Sequence, residues 1–286
     1  MTTSDDALTY VYAAASLTTE LRDALKGLRG IHGSPVLFLT APPGDGPGGS
    51  SPALAFAISH VSGQEFDEIA LKEHFEDLEW LENVARAHHD VVQALSTHTT
   101  VLPLRMATVY QDDARAGQAL AEQHDALAGR LSQLTAHLEF GVKIYLAPTE
   151  PPAGTAAVTD TDSSAAASPG KAYLQRRRVQ RDAQEATYGQ ARQAAQIIEA
   201  IAFRYASQHV RHPAQRGALT GPAENVLNDA YLVPDTYAAR FRAAVEEAVG
   251  GVFDGIRVEV TGPWAPYSFA VPPAEHQHRA PGEGSG

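Results

Sequence analysis

Residues Thr9–Ala15, TYVYAAA, then Ser16 and Thr18, then Thr19–Lys26, TELRDALK, set the plan of the chain. Aromatic and β-branched side chains favour an extended segment, and two hydroxyl residues able to cap precede a stretch of helical composition. The reading is a strand followed by a helix. Outward from it, past Gly27, Gly30 and Gly33, Pro35–Thr40 (PVLFLT) and Leu54–His60 (LAFAISH) read as two strands joined by the turn-rich segment APPGDGPGGSSP at 41–52. Phe66–Leu95 then carries a helical period on Ile69, Phe75, Leu78, Leu81, Ala85, Val91, Val92 and Leu95. Val101–Tyr110 (VLPLRMATVY) is a β segment broken at Pro103. Asp112–Leu138 is helical, and Glu139–Leu146 (EFGVKIYL) is a strand. The order β-α-β-β-α-(β)-α-β matches the split βαβ plan, in which helices cover one face of an antiparallel sheet.

This first α+β domain is assigned to residues 1–146. Residues 147–170 contain almost no large apolar side chain and read as a flexible linker. A smaller α+β domain follows at 171–271: a long helix from Lys171 to about Val210, a strand at Val226–Val233, a helix at Pro234–Val249 and a strand at Gly255–Thr261. Residues 272–286 lack periodicity and read as a disordered tail. Two domains also suit the length of 286 residues.

Hydrophobic residues make up 44% and charged residues 20%, a composition that folds. With no cysteine, disulfide frameworks, thiolate zinc sites and cysteine nucleophiles are excluded. No signal-like N-terminus and no spanning apolar run is seen, so the expectation is a cytoplasmic protein without a membrane partner. A net charge of −12 has the wrong sign for a protein whose main partner is nucleic acid. Without a heptad seam or a self-complementary stripe, a monomer is expected.

Candidate chemistry is sparse. Gly44, Gly46 and Gly49 match G-x-G-x-x-G, but Pro47 interrupts them and a strand follows where the phosphate site needs a helix start, so the match reads as a hairpin loop. His209 and His212 read as cations at a helix C-terminus without carboxylate neighbours, and His276 and His278 support at most an adventitious metal site. Glu73, Glu76, Asp77, Glu79 and Glu82, with His74, His88 and His89, read as a solvated helix face, with Glu82 and Arg86 paired at i, i+4. Arg176, Arg177, Arg178 and Arg181, near Lys171, form a basic helix flank. No catalytic residue, cofactor site or metal site is assigned.

Six segments resemble, in order, the GvpF/GvpL family of gas vesicle proteins. They are Tyr10-Val11-Tyr12-Ala13; Asp77-Leu78-Glu79-Trp80-Leu81 with Ala85-Arg86-Ala87-His88; Val101-Leu102-Pro103-Leu104-Arg105; Glu139-Phe140-Gly141-Val142-Lys143; Leu227–Val233 (LNDAYLV); and Gly262–Phe269 (GPWAPYSF). Met106-Ala107 stands where the family usually shows Phe-Gly, and Phe140 where Trp is common. The resemblance implies a non-enzymatic accessory or minor structural protein of gas vesicle assembly, with two α+β domains of which the first is ferredoxin-like. It implies association with the small, hydrophobic shell protein GvpA and with other accessory Gvp proteins. The residues it singles out are Trp80, His88, Pro103, Arg105, Tyr231, Trp264, Pro266 and Tyr267. Their first reading is as core anchors or interdomain wedges, their second as direct contacts, and Arg105 and His88 are expected to pair with carboxylates. The alternatives are a histidine-containing metal protein, a cryptic enzyme and a nucleic-acid regulator.

Overall fold

The computed structural model describes residues 7–40, 53–147, 169–215 and 223–270. Among the described residues the chain forms β1 (Ala7–Leu17), α1 (Thr19–Ala24), a helical turn at Ile31–Gly33, β2 (Leu37–Thr40) and β3 (Ala53–Ser62). Next come α2 (Gly63–Phe66), α3 (Glu68–His74), α4 (Leu78–Ser96), β4 (Val101–Pro103), β5 (Val109–Tyr110), α5 (Asp113–Glu122), α6 (His124–Leu134) and β6 (His137–Leu146). The remainder is α7 (Pro169–Tyr205), β7 (Gln208–Arg211), β8 (Glu224–Pro234), α8 (Asp235–Val249), β9 (Ile256–Trp264) and a turn at Tyr267–Phe269. The glycine match at 44–49, nearly all of the linker and the tail lie outside the described residues.

The described residues divide into two compact units, those up to Glu139 together with those from Pro263 on, and those from Phe140 to Gly262. The division differs from the expected 1–146 and 171–271. The first unit ends inside β6, and the segment from Pro263 belongs to it rather than to the second.

In the first unit the sheet runs β2-β3-β1-β4, with β5 also on β1, and every registered pair is antiparallel. Because β3 inserts between β1 and β2, this is the split βαβ order expected of a ferredoxin-like domain. Tyr10–Ala15 are at most 1% exposed, so β1 is covered on both faces, which explains why its sequence is an unbroken apolar run rather than an alternation. Its register shifts between Val11 and Ala13, a bulge centred on Tyr12. Thr18 caps α1, its Oγ1 accepting from the Leu21 N–H at 3.1 Å.

The helical period over Phe66–Leu95 resolves into three helices. Asp67 accepts from the N–H groups of Ile69 and Ala70, and Asp77 from those of Glu79 and Trp80, so each aspartate starts a new helix. The expected helix over Asp112–Leu138 likewise divides at Gln123 into α5 and α6.

The second unit has the sheet order β7-β8-β6-β9, and α8 packs on β8 and on α7. Its interior holds Phe140, Val142, Ile144, Ile198, Tyr231, Phe241 and Val245. The helix expected to reach Val210 ends at Tyr205, and Gln208–Arg211 is instead a strand antiparallel to β8. The reason is tertiary: the side chains of this strand reach a buried aspartate on β8, described below.

Candidate functional site

In the first unit β1 places Tyr10 and Tyr12 side by side, their ring centroids 4.9 Å apart, and α4 brings His88 within 6 Å of both rings. Tyr10 Oη accepts from the Ala107 N–H at 3.1 Å and shares a hydrogen bond of 2.9 Å with His88 Nδ1. Tyr12 Oη accepts from the Ile31 N–H at 2.9 Å. Burial, helped by neighbouring His89 and weakly opposed by the Leu104 carbonyl, pushes the His88 pKa down to about 4. The ring is therefore neutral at pH 7, and its Nε2 is buried without a hydrogen-bond partner among the described residues. Among the described residues the expected carboxylate partner is absent: His88 pairs with a phenol.

The segment Pro263–Ala270 seats against the same helix. Trp264 meets His89 edge-on at 5.3 Å, and Tyr267 lies over the same imidazole at 6.0 Å. Pro266, Ala265 and Phe269 are buried. Glu139, only 7% exposed, accepts from the Ser268 N–H at 2.8 Å and the Ser268 hydroxyl at 2.6 Å, while Arg130 Nε donates to the Phe269 carbonyl at 2.7 Å. Burial pushes the Glu139 carboxyl up, and the Ser268 bonds offset part of that shift. Burial also raises the Tyr267 phenol, with the Glu139 and Asp90 charges adding to it.

Beside this clasp lies a groove of about 500 Å³. It is lined by Leu102 and Pro103 of β4, Leu104 just after it, Ala126 and Leu127 of α6, and Tyr267, with the cations Arg105 and Arg130 also at it. Arg105 is exposed and forms no ion pair among the described residues.

The second unit has its own polar cluster. Asp229 of β8, 1% exposed, receives a two-pronged contact from Arg211, Nε to Oδ1 at 2.9 Å and Nη2 to Oδ2 at 3.0 Å. His209 Nε2 lies 3.0 Å from Oδ2, and the Tyr231 hydroxyl donates to it at 3.2 Å. His209 thus has a carboxylate neighbour, contrary to the sequence reading. Burial alone would raise the Asp229 carboxyl, but Arg211 and His209 outweigh it and hold the group below the usual carboxylate range. Burial raises the Tyr231 phenol, and the Asp229 charge adds to that.

Seven of the eight motif residues fall in three places. His88, Trp264, Pro266 and Tyr267 meet around α4, Pro103 and Arg105 line the groove with Tyr267, and Tyr231 belongs to the Asp229 cluster. Trp80 stacks on His74 at 4.7 Å and packs beside Phe66. Phe140, in place of the more usual tryptophan, packs against Phe241 at 5.4 Å with the Arg242 guanidinium over its ring. What the sequence did not show was the pairing. Tyr10 with His88, Glu139 with Ser268 and Arg130 with Phe269 are separated by 78, 129 and 139 residues.

Among the described residues no group of three or more His, Asp or Glu converges as a metal site, and no helix is long and apolar enough to cross a membrane. The fold and these clusters define a two-unit α+β protein in which the pairs Tyr10–His88, Glu139–Ser268 and Asp229–Arg211 join segments of the chain to one another. The model of the family described as gas vesicle synthesis protein GvpL/GvpF matches residues 8–271. The chain is 38% identical over 277 residues to gas vesicle protein L of a Streptomyces species, covering 96% of this chain and 97% of that protein. It is 26% identical over 208 residues to gas vesicle protein L2 of Halobacterium salinarum, covering 68% and 73%. The crystal structure of the gas vesicle protein GvpF from Anabaena sp. superposes with a TM-score of 0.61 at 17% identity, over 96% of this chain and 100% of that one. GvpF from Microcystis aeruginosa gives 0.59 at 16%, over 92% and 99%. The chain belongs to the GvpL/GvpF family of gas vesicle proteins, and membership implies a role in gas vesicle formation.

Proposed function

We propose that this protein is a non-catalytic assembly factor of gas vesicles, acting in the cytoplasm and at the growing vesicle, that binds the apolar shell protein GvpA and other accessory Gvp proteins. The observation that carries this reading is the groove beside β4. Its walls are the apolar side chains of Leu102, Pro103, Leu104 and Leu127, and Arg105 stands at it without an ion-pair partner among the described residues. Such a groove suits an apolar segment that carries an acidic side chain. A shell subunit with exposed apolar surface aggregates unless something covers it before assembly, and a groove of this kind supplies the cover. Two family segments, VLPLR and APYSF, build it together, which supports reading them as a shared surface as well as a core. Trp80, His88, Trp264 and Pro266 have a packing role in this reading, and no cofactor is needed.

The test is co-expression with GvpA, followed by affinity capture of this chain and measurement of the shell protein that stays soluble. Ala126→Trp, on the exposed surface of α6, fills the groove without touching the core. Capture of GvpA by the native chain and its loss with Ala126→Trp are expected. Absence of capture, or equal capture by both, rules out the groove as the binding surface.

A further inference from the structure

The two units carry exposed surfaces of opposite charge, each centred on an apolar side chain that its own unit leaves uncovered. The first is the elbow between α3 and α4, where Phe75–Leu78 and Glu79, FEDLE, are exposed without a break. Leu78 is 78% and Ile69 72% exposed. Glu73 follows Ile69 by one helical turn, Glu76 and Glu79 flank Leu78 in sequence, and the ion pairs these helices form among the described residues, Lys72 with Glu68 and Arg86 with Glu82, leave all three carboxylates unpaired. The second surface is the N-terminal half of α7. Leu174, 66% exposed, shares a helix face with Arg177, Arg178 and Arg181, three, four and seven residues on. All three arginines are exposed, and the only ion pair among them in the described residues is a loose one from Arg181 to Glu185 at 3.7 Å.

In a chain with 34 acidic and 22 basic residues, a basic face is the exception. The two surfaces match in kind, an apolar anchor beside one sign of charge facing an apolar anchor beside the other. We propose that the α3–α4 elbow of one molecule receives the α7 face of a second copy. The contact joins two different surfaces and so needs no self-complementary stripe, which is why the sequence reads as a monomer. A contact of this heterologous kind leaves one elbow and one helix free in a pair of molecules, and these either close on each other or add further copies. Opposite charges steer the encounter, and burial of Leu78, Ile69 and Leu174 holds it. The elbow lies on other helices than the groove, so this association stands or falls independently of shell-protein binding.

Sedimentation velocity of the full chain over a wide concentration range, at low and at high salt, tests the proposal without any shell protein. At low salt the weight-average mass is expected to at least double with concentration and to fall back on adding salt. Ile69→Ser with Leu78→Ser abolishes the elbow, and Arg177→Glu with Arg178→Glu abolishes the helix face. Each variant alone is expected to stay at the mass of a single chain, because every substituted side chain is exposed and the fold is kept. An equimolar mixture is expected to form a two-chain species that grows no further, since one intact elbow and one intact helix remain between them. A single-chain mass for the native protein at every concentration overturns the proposal. So does association of either variant by itself, or a mixture that stays monomeric.

Discussion

Tyr10 and His88, 78 residues apart, share a buried hydrogen bond of 2.9 Å between phenol and imidazole, and this bond joins the central strand of the first unit to its longest helix. His88 is held neutral, its pKa near 4 against an ordinary value of 6.5. Below pH 6.5 the unfolded chain binds the proton first, so the contribution of His88 is complete above that pH and is lost as pH falls toward 4. The shift corresponds to about 3 kcal/mol. Denaturant titrations over this range are expected to show that loss in the native protein and a flatter profile in His88→Gln.

Glu139 acts in the opposite sense. Burial raises its folded pKa, so the folded state binds the proton more tightly and stability declines as pH rises through the window from the ordinary carboxyl value to the raised one. Glu139→Gln should flatten that decline, seen most clearly in a His88→Gln background. Glu139→Ala leaves the Ser268 N–H without its acceptor and should cost about 1–3 kcal/mol. It should also release the Trp264–Phe269 segment, which hydrogen exchange would report as faster exchange there.

Ala107 sits at φ +61°, a left-handed conformation that favours glycine, and its N–H donates to Tyr10. The resemblance to the family puts Phe-Gly at Met106-Ala107. Ala107→Gly should raise stability by up to about 1 kcal/mol, while Ala107→Val, β-branched in the same conformation, should lower it by more than about 1 kcal/mol. Thermal melts of the two variants, shifted in opposite directions, check this.

Asp229 holds β7 to β8 through Arg211 and His209. Asp229→Asn keeps one acceptor oxygen but loses the charge, and should cost about 1.5–3 kcal/mol in denaturant unfolding. Because the native carboxyl is held below its ordinary value, its contribution is present above that value and is lost as pH falls. The stability difference between the native protein and the Asp229→Asn variant should therefore narrow in acid.

Local signals served well where a segment forms its element largely by itself. The apolar run at Tyr10–Ala15, the capping Thr18 and the strand EFGVKIYL were all legible, and the order of the first sheet follows from them. The breaks at Asp67 and Asp77 were legible in principle, since each aspartate stands at a helix start, but the continuous period of Phe66–Leu95 masked them. Gln208–Arg211 was not legible: it is a strand because Arg211 and His209 meet Asp229, a partner on another strand. The return of Pro263–Ala270 to the first unit depends likewise on Glu139 and Arg130, over separations that local pattern does not record. Six family segments were visible in the sequence, but only the fold showed that VLPLR and APYSF line one groove.

If the groove covers apolar shell protein before assembly, light scattering of purified GvpA diluted from denaturant, alone and with this chain at near-equal amounts, reports it most directly. The native chain is expected to suppress scattering, and Ala126→Trp, folded to the same melting point, is expected not to. Scattering unchanged by the native chain, or suppressed equally by the groove-filled variant, would contradict the proposed role of the groove.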